Sequence, residues 1–231
     1  PVVYWRAWEV FYVLILYLTA SLITNSVQIR YLKIESDKYF LITILLSLFN
    51  AAFLIFPTLF IILKKYKQKI KVVGVTFNKL KLSAIVFEGL KFAYFFAFFN
   101  FVALKYIFDA HTVYPDNYSL LSLLLNSKSL LNLTLSILIL GIIIPFIEEV
   151  FFRGFFYKAF RPRFAFLPAA LFSSLIFGAL HIEPSMIPFG IISGMVLCFL
   201  YEKYQSIMPG FIMHSVINIC FILFAFNNGH F

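Results

Sequence analysis

Acidic residues are scarce in this chain of 231 residues. Aspartate and glutamate together number 10, against 19 lysines and arginines, and all charged residues make up only 13% of the chain. Soluble domains carry about 25% charged residues. With 62% hydrophobic residues and a mean hydropathy of +0.95, a soluble protein of this size would leave much apolar surface in water. The composition therefore excludes an ordinary soluble domain and predicts a membrane protein.

Cysteine and metal-binding signatures are equally sparse. The two cysteines, Cys198 and Cys220, lie in apolar segments, which excludes a disulfide framework and a cysteine-based metal site. The chain contains no His-Glu-x-x-His sequence and no internal repeat of the kind that builds many transporters. Although the net charge is +9, the lysines stand between apolar segments, so we expect no nucleic-acid partner.

Long apolar segments are the main feature of the sequence. A helix that spans a bilayer needs about 20 predominantly apolar residues. Seven segments fit, and an eighth segment at 118–125 is too short to span but could be re-entrant or an interfacial cap. We therefore predict an all-α, polytopic membrane bundle with seven to eight transmembrane helices. The expected spans are about 10–27, 40–63, 85–108, 130–152, 164–181, 187–201 and 207–226. We expect the fourth helix to continue to about Phe160 as one long rod.

Basic residues between the spans predict the orientation of the bundle. The segment 64–81 contains seven lysines and no acidic residue, which indicates the cytoplasmic side. The turn after the fourth span carries Lys158, Arg161 and Arg163 and falls on the same side, as does the N-terminus. The two basic segments thus give one consistent topology.

Two adjacent glutamates, Glu148 and Glu149, interrupt the fourth apolar segment. An ionised carboxylate at the bilayer centre costs about 2.5–3.5 kcal/mol, so such residues usually face the protein interior and serve a function. Glu149 and Arg153 are four residues apart on one helical face and should pair. Glu148 points about 100° away, lacks a local cation and suits a general base. Pro145 is expected to kink the helix beside these carboxylates.

Two histidines stand in later apolar segments. His181 ends the fifth segment, one helical turn after Phe177, and His214 precedes Asn218 by one turn in the last segment. Imidazole and amide groups on one helix face suit the stabilisation of an oxyanion. Alternatively, Glu148, His181 and His214 form a His₂Glu metal site with an open position.

Other functions use the same residue types. Ser193 and His214 superficially fit the Ser-His dyad of a rhomboid-like serine protease, although small residues at 190 and 194 serve helix packing equally well. Buried Glu, Arg and His also suit a proton-coupled transporter, or a catalytically silent membrane regulator that keeps them for structure.

Three motifs in order resemble those of the CAAX protease and bacteriocin-processing family. This family comprises glutamic-type intramembrane proteases related to the type II CAAX prenyl endopeptidase. The resemblance covers about residues 138–226, without departure at the motif positions. The motifs are Glu148-Glu149-x-x-x-Arg153, Phe177-x-x-x-His181 and His214-x-x-x-Asn218.

The resemblance implies an intramembrane endopeptidase with a helical bundle and a cavity open toward the cytosol. It implies that Glu148 and His181 activate the attacking water, and that His214 and Asn218 stabilise the oxyanion. The substrate would be a membrane-associated peptide, which in eukaryotic members is a prenylated C-terminal Cys-a-a-X sequence. Family members were long regarded as metalloproteases, whereas the glutamate mechanism needs no metal. The cofactor is therefore either none or a divalent ion such as zinc, held by Glu148, His181 and His214.

The resemblance also implies the roles of neighbouring residues and the organisation of the chain. Glu149, Arg153 and Phe177 would shape the site. Within a single integral membrane domain, we expect N-terminal transmembrane helices over 1–129 and the catalytic helices over 130–231. The bilayer would be the cell membrane of a prokaryote.

Overall fold

The fold is built from helices alone in the residues that the structure describes. A computed structural model describes residues 3–31, 36–76, 82–106, 129–180 and 187–228. The helices are α1 (Ala7–Tyr31), α2 (Ser36–Leu59, extended by a π-helical turn Phe60–Lys65), α3 (Leu82–Tyr106), α4 (Leu130–Phe160), α5 (Phe166–Ala179), α6 (Ile187–Tyr204) and α7 (Met208–Asn228).

Each of the seven predicted spans overlaps one of these helices. Within the part of the chain that the structure describes, four helical stretches are long and apolar enough to cross a membrane, and α5 and α7 contain shorter apolar helices. These four are Ala7–Gln28, Lys38–Lys65, Leu130–Phe160 and Ile187–Tyr204. The all-α membrane bundle is thus confirmed, and so is the long fourth helix. The stretch 118–125 lies outside the described residues.

The outer surface of the bundle is apolar, as a lipid environment requires. Large hydrophobic side chains on several helices face outward, including Leu22 at 70%, Phe56 at 69% and Tyr94 at 78% exposure. So many large exposed apolar side chains are unusual on a soluble monomer. Lipid, rather than protein, is the natural neighbour of these side chains.

The long helix α4 lies at the centre of the bundle. It contacts α1, α2, α5, α6 and α7, whereas the other helices pack chiefly in the pairs α1–α2, α3–α7 and α5–α6. All residues of its last turns, Val150–Tyr157 and Lys158–Phe160, are buried. A central helix of this kind places its polar residues where only protein groups can satisfy them.

Two π-helical segments, Ile139–Ile143 and Val150–Tyr157, interrupt α4 on either side of the glutamates. Pro145 lacks a backbone N–H and so cannot continue the regular ladder. The structure has a π-helical turn immediately before this proline, and the helix runs on through it. Such π segments often occur at functional sites because they re-aim neighbouring side chains.

The basic segments predicted to share one side of the membrane meet at one end of the bundle. Lys65 pairs with Glu9 near the N-terminus at 2.5 Å, and the Nζ group of Lys158 donates to the carbonyl of Val72. The N-terminus, the loop after α2 and the basic end of α4 are therefore neighbours. The assignment of this end to the cytoplasm stays a prediction.

A short 3₁₀ helix, Ile70–Val73, docks this loop onto α4. Val73 is fully buried, and a Cβ atom at Gly154 would lie 2.6 Å from the Val73 carbonyl oxygen. Gly74 follows with a φ of +88° and lies against Tyr201, where a side chain would clash at 2.7 Å. The two glycines thus permit a close contact between loop and helix that larger residues would prevent.

Candidate active site

Glu149 and Arg153 form the predicted pair on one face of α4. An Nη1 group of Arg153 donates to Glu149 Oε1 at 2.8 Å, and both side chains are completely buried. Arg153 Nη2 also lies 3.4 Å from the carbonyl oxygen of Gly194. Its guanidinium group stands over the Phe177 ring, 4.3 Å from the centroid. A buried ion pair persists only with such added contacts, because desolvation opposes it.

His214 connects α7 to both glutamates. Its Nδ1 atom lies 3.1 Å from Glu149 Oε1, and its Nε2 atom lies 3.6 Å from Glu148 Oε2. An ionised carboxylate only accepts hydrogen bonds, so the ring nitrogen that faces Glu149 carries the proton. Glu149 therefore orients the imidazole, and the second ring nitrogen is directed toward Glu148.

Glu148 differs from its neighbour in both exposure and pairing. Its side chain is 23% exposed, whereas that of Glu149 is fully buried. The residue lines a small cavity of about 70 Å³. The other described residues lining this cavity are Tyr17, Leu54, Phe152, Phe177 and Leu180. The local geometry thus separates a cavity-facing carboxylate from a buried, paired one.

Asn218 lies one turn beyond His214, and both residues line a second cavity of about 190 Å³. The Asn218 amide donates from Nδ2 to the carbonyl oxygen of Leu140 at 3.1 Å. Leu140 belongs to the first π-helical segment of α4. This bond fixes the amide group, which has a second N–H still available.

Phe177 forms a wall shared by the two cavities. Its ring is 2% exposed and meets the His214 ring edge-to-face at 5.6 Å. The ring also packs against Phe152 at 5.0 Å. The predicted site-shaping residue therefore contacts both the Arg153 cation and the imidazole of His214.

Gly210 is a site residue that sequence reasoning missed. A Cβ atom at this position would lie 3.2 Å from Glu149 Oε2, so the glycine allows the carboxylate to approach the first turn of α7. Gly210 precedes His214 by four residues, and His214 precedes Asn218 by four. This spacing places all three on one helix face and is the signal that could have identified the glycine.

His181, the remaining predicted catalytic residue, lies outside the described residues. Ser193 lines the larger cavity with His214, but its hydroxyl group donates to the carbonyl of Gly190 at 3.1 Å. Among the residues with a described position, no group of three histidine, cysteine or acidic side chains is arranged to hold a metal ion. Glu148 and His214 are the two predicted ligands that the structure does place together.

Comparison with known proteins agrees with the motifs. The family model described as type II CAAX prenyl endopeptidase Rce1-like matches residues 130–220. Neither a curated protein nor a solved structure matches the chain. The matched segment runs from the start of α4 into α7 and contains all of the motif residues named above. Residues 130–220 are therefore similar to the Rce1-like type II CAAX prenyl endopeptidases.

Proposed function

We propose that the protein is an intramembrane endopeptidase in which Glu148 activates the attacking water. The supporting observation is the contrast between the two adjacent glutamates. Glu148 faces a cavity and lies 3.6 Å from His214, whereas Glu149 is buried and paired with Arg153. A general base must be accessible to the water that it deprotonates, and of the two glutamates only Glu148 meets this condition.

The smaller cavity has room for the nucleophile. A cavity must offer about 10–15 Å³ to hold one water molecule. The cavity beside Glu148 measures about 70 Å³. Glu148 would remove one proton while the water oxygen attacks the carbonyl carbon of the scissile amide. The same proton would then pass to the leaving nitrogen, and the C–N bond would break. His181, implied as the second activating residue, takes part in this proposal without a described position.

The oxyanion of the tetrahedral intermediate would be held by Asn218 and His214. One N–H of the Asn218 amide donates to the carbonyl oxygen of Leu140, and the second N–H can donate to the substrate. Glu149 occupies Nδ1 of His214, so a hydrogen bond to the oxyanion has to come from Nε2. A hydrogen bond from Nε2 to the oxyanion requires that both ring nitrogens of His214 carry a proton. The positive charge of the ring would then lie between the carboxylates of Glu148 and Glu149.

The same residues also fit a divalent metal ion. Two ligands at zinc distances of 2.0–2.1 Å in a tetrahedron are about 3.4 Å apart. The separation of 3.6 Å between Glu148 Oε2 and His214 Nε2 is close to this value. With His181 as third ligand, a bound zinc ion would polarise the scissile carbonyl and acidify the attacking water. Glu149 would then orient the ligand His214 through Nδ1.

The proposed substrate is a membrane-associated peptide, with a prenylated C-terminal Cys-a-a-X sequence as the first candidate from the family description. The protein is an integral membrane protein by its apolar helices and its family. We place it in the cell membrane of a prokaryote.

Peptide cleavage by the purified protein in detergent tests this function. We expect release of the C-terminal tripeptide from a farnesylated peptide, identified by mass spectrometry. Glu148→Gln should slow cleavage by about 10²–10⁴-fold, the usual contribution of a general base. Glu88→Gln is the matched control, because Glu88 pairs with Lys91 on α3 at 2.7 Å, outside the site.

Each outcome of this experiment has a distinct meaning. Loss of activity on chelation and its return with zinc would favour the metal mechanism. Activity that resists chelation but disappears in Glu148→Gln would favour the glutamate mechanism. Cleavage by Glu148→Gln at the rate of Glu88→Gln would contradict the proposed function.

A further inference from the structure

We propose that Tyr17 of α1 is a further catalytic residue, whose hydroxyl group holds the attacking water together with Glu148. The inference rests on the proposed function and extends it to a helix outside the matched segment 130–220. It assigns to α1 a direct part in the reaction rather than a supporting one.

The lining of the smaller cavity is the first argument. Of the six described residues that line it, only Glu148 and Tyr17 have polar side-chain atoms. The other four, Leu54, Phe152, Phe177 and Leu180, are apolar. A buried water is retained only where two to four polar groups bind it. Among the described residues, Tyr17 is therefore the side chain that can supply the second hydrogen bond.

The position of the phenol group is the second argument. Tyr17 and Glu148 border the same cavity, so a molecule held there can contact both side chains. Tyr17 is also partly buried and packs against the main apolar core. The phenol group is thus held in the packed region that borders the cavity of the assigned base.

Helix α1 is fixed against α4 at its N-terminal end, which keeps Tyr17 in register with Glu148. The indole N–H of Trp5 donates to the carbonyl oxygen of Phe155 at 2.9 Å, and the two rings stack at 4.9 Å. Phe155 lies in the second π-helical segment of the same helix that carries Glu148. A contact of this kind limits sliding of α1 along α4.

The hydrogen bonds can be assigned without any change in the reaction scheme. The water would donate one hydrogen to Glu148 and accept a hydrogen bond from the Tyr17 hydroxyl. Its remaining lone pair would face the scissile carbonyl. Glu148 alone takes the proton, and Tyr17 keeps its own throughout, so the atoms balance as in the hydrolysis above. Tyr17 thus contributes by orienting the nucleophile.

Tyr17→Phe tests the inference, because it removes only the hydroxyl oxygen. We expect kcat for peptide cleavage to fall about 10- to 100-fold, as for a misplaced nucleophile, with KM within about twofold of the wild type. The thermal midpoint of the purified variant, measured in the same detergent, should be unchanged. Tyr12→Phe is the matched control, since Tyr12 is on the same helix, 51% exposed and away from this cavity.

The outcomes separate this inference from the proposed function. A wild-type protein that cleaves no peptide would refute both. An active wild type with equal kcat in Tyr17→Phe and Tyr12→Phe would refute the role of Tyr17 alone. A fall in kcat accompanied by an equal loss of folded protein would also count against it, because packing would then explain the effect.

Discussion

Replacement of Arg153 by methionine leaves the Glu149 carboxylate buried without its cation. Neither the Arg153 nor the Glu149 side chain has exposed surface, and their ion pair joins Nη1 to Oε1 at 2.8 Å. Removing one partner of such a pair typically costs 3–5 kcal/mol, so we expect the free energy of unfolding to fall by about this amount. Methionine has a similar length and can keep part of the contact with Phe177, which limits the effect of lost packing.

Unfolding in mixed micelles with increasing dodecyl sulfate gives this free energy, and the fluorescence of the buried Trp5 reports it. The pair is isolated by a double-mutant cycle with Glu149→Gln. The double variant should lose less than the sum of the single variants, because neither charge is then left buried alone. A loss below about 1 kcal/mol in Arg153→Met, or strict additivity, would refute the buried-pair interpretation.

Two further changes probe the site, and a third probes the contact between Trp5 and α4. Gly210→Ala places a Cβ atom 3.2 Å from Glu149 Oε2, so we expect a loss of about 1–3 kcal/mol in the same unfolding assay. Asn218→Leu removes a proposed oxyanion donor and should lower kcat for peptide cleavage by about 10²–10³-fold. Trp5→Phe keeps an aromatic ring against Phe155 but removes the N–H donor, which should cost about 1 kcal/mol of unfolding free energy. Because this variant lacks the Trp5 fluorophore, its unfolding is followed by the loss of helical circular dichroism.

Each of these three has a result that would count against it. Unchanged stability in Gly210→Ala would mean that the carboxylate does not depend on close approach to α7. Full cleavage activity in Asn218→Leu would remove this residue from the oxyanion site. A Trp5→Phe protein as stable as the wild type would show that the bond to the Phe155 carbonyl contributes nothing measurable.

Local features of the fold could be predicted from the sequence because they depend on neighbours in the chain. Each apolar run predicted its helix, since a backbone in lipid must satisfy its hydrogen bonds internally. The spacing of Glu149 and Arg153 predicted their pairing, because residues four apart share one helix face.

Contacts between segments that are distant in the chain could not be predicted from the sequence patterns. The bond between His214 and Glu149 spans 65 positions and depends on how α7 packs against α4. The presence of Tyr17 and Leu54 beside Glu148 depends likewise on the docking of α1 and α2. The π-helical segments also escaped prediction, although Pro145 marked the irregular region. Periodicity defines the face of a helix but not the helix that it meets.

The inhibition constant of a phosphinate peptide, a mimic of the tetrahedral intermediate, tests whether Glu148, His214 and Asn218 act on one scissile amide. Transition-state analogues bind about 10²–10⁸-fold more tightly than substrates. We therefore predict at least about 100-fold tighter binding of the phosphinate than of the matching peptide, and loss of most of this advantage in Asn218→Leu. Equal affinity for phosphinate and peptide, or the same advantage in Asn218→Leu, would contradict the proposed site.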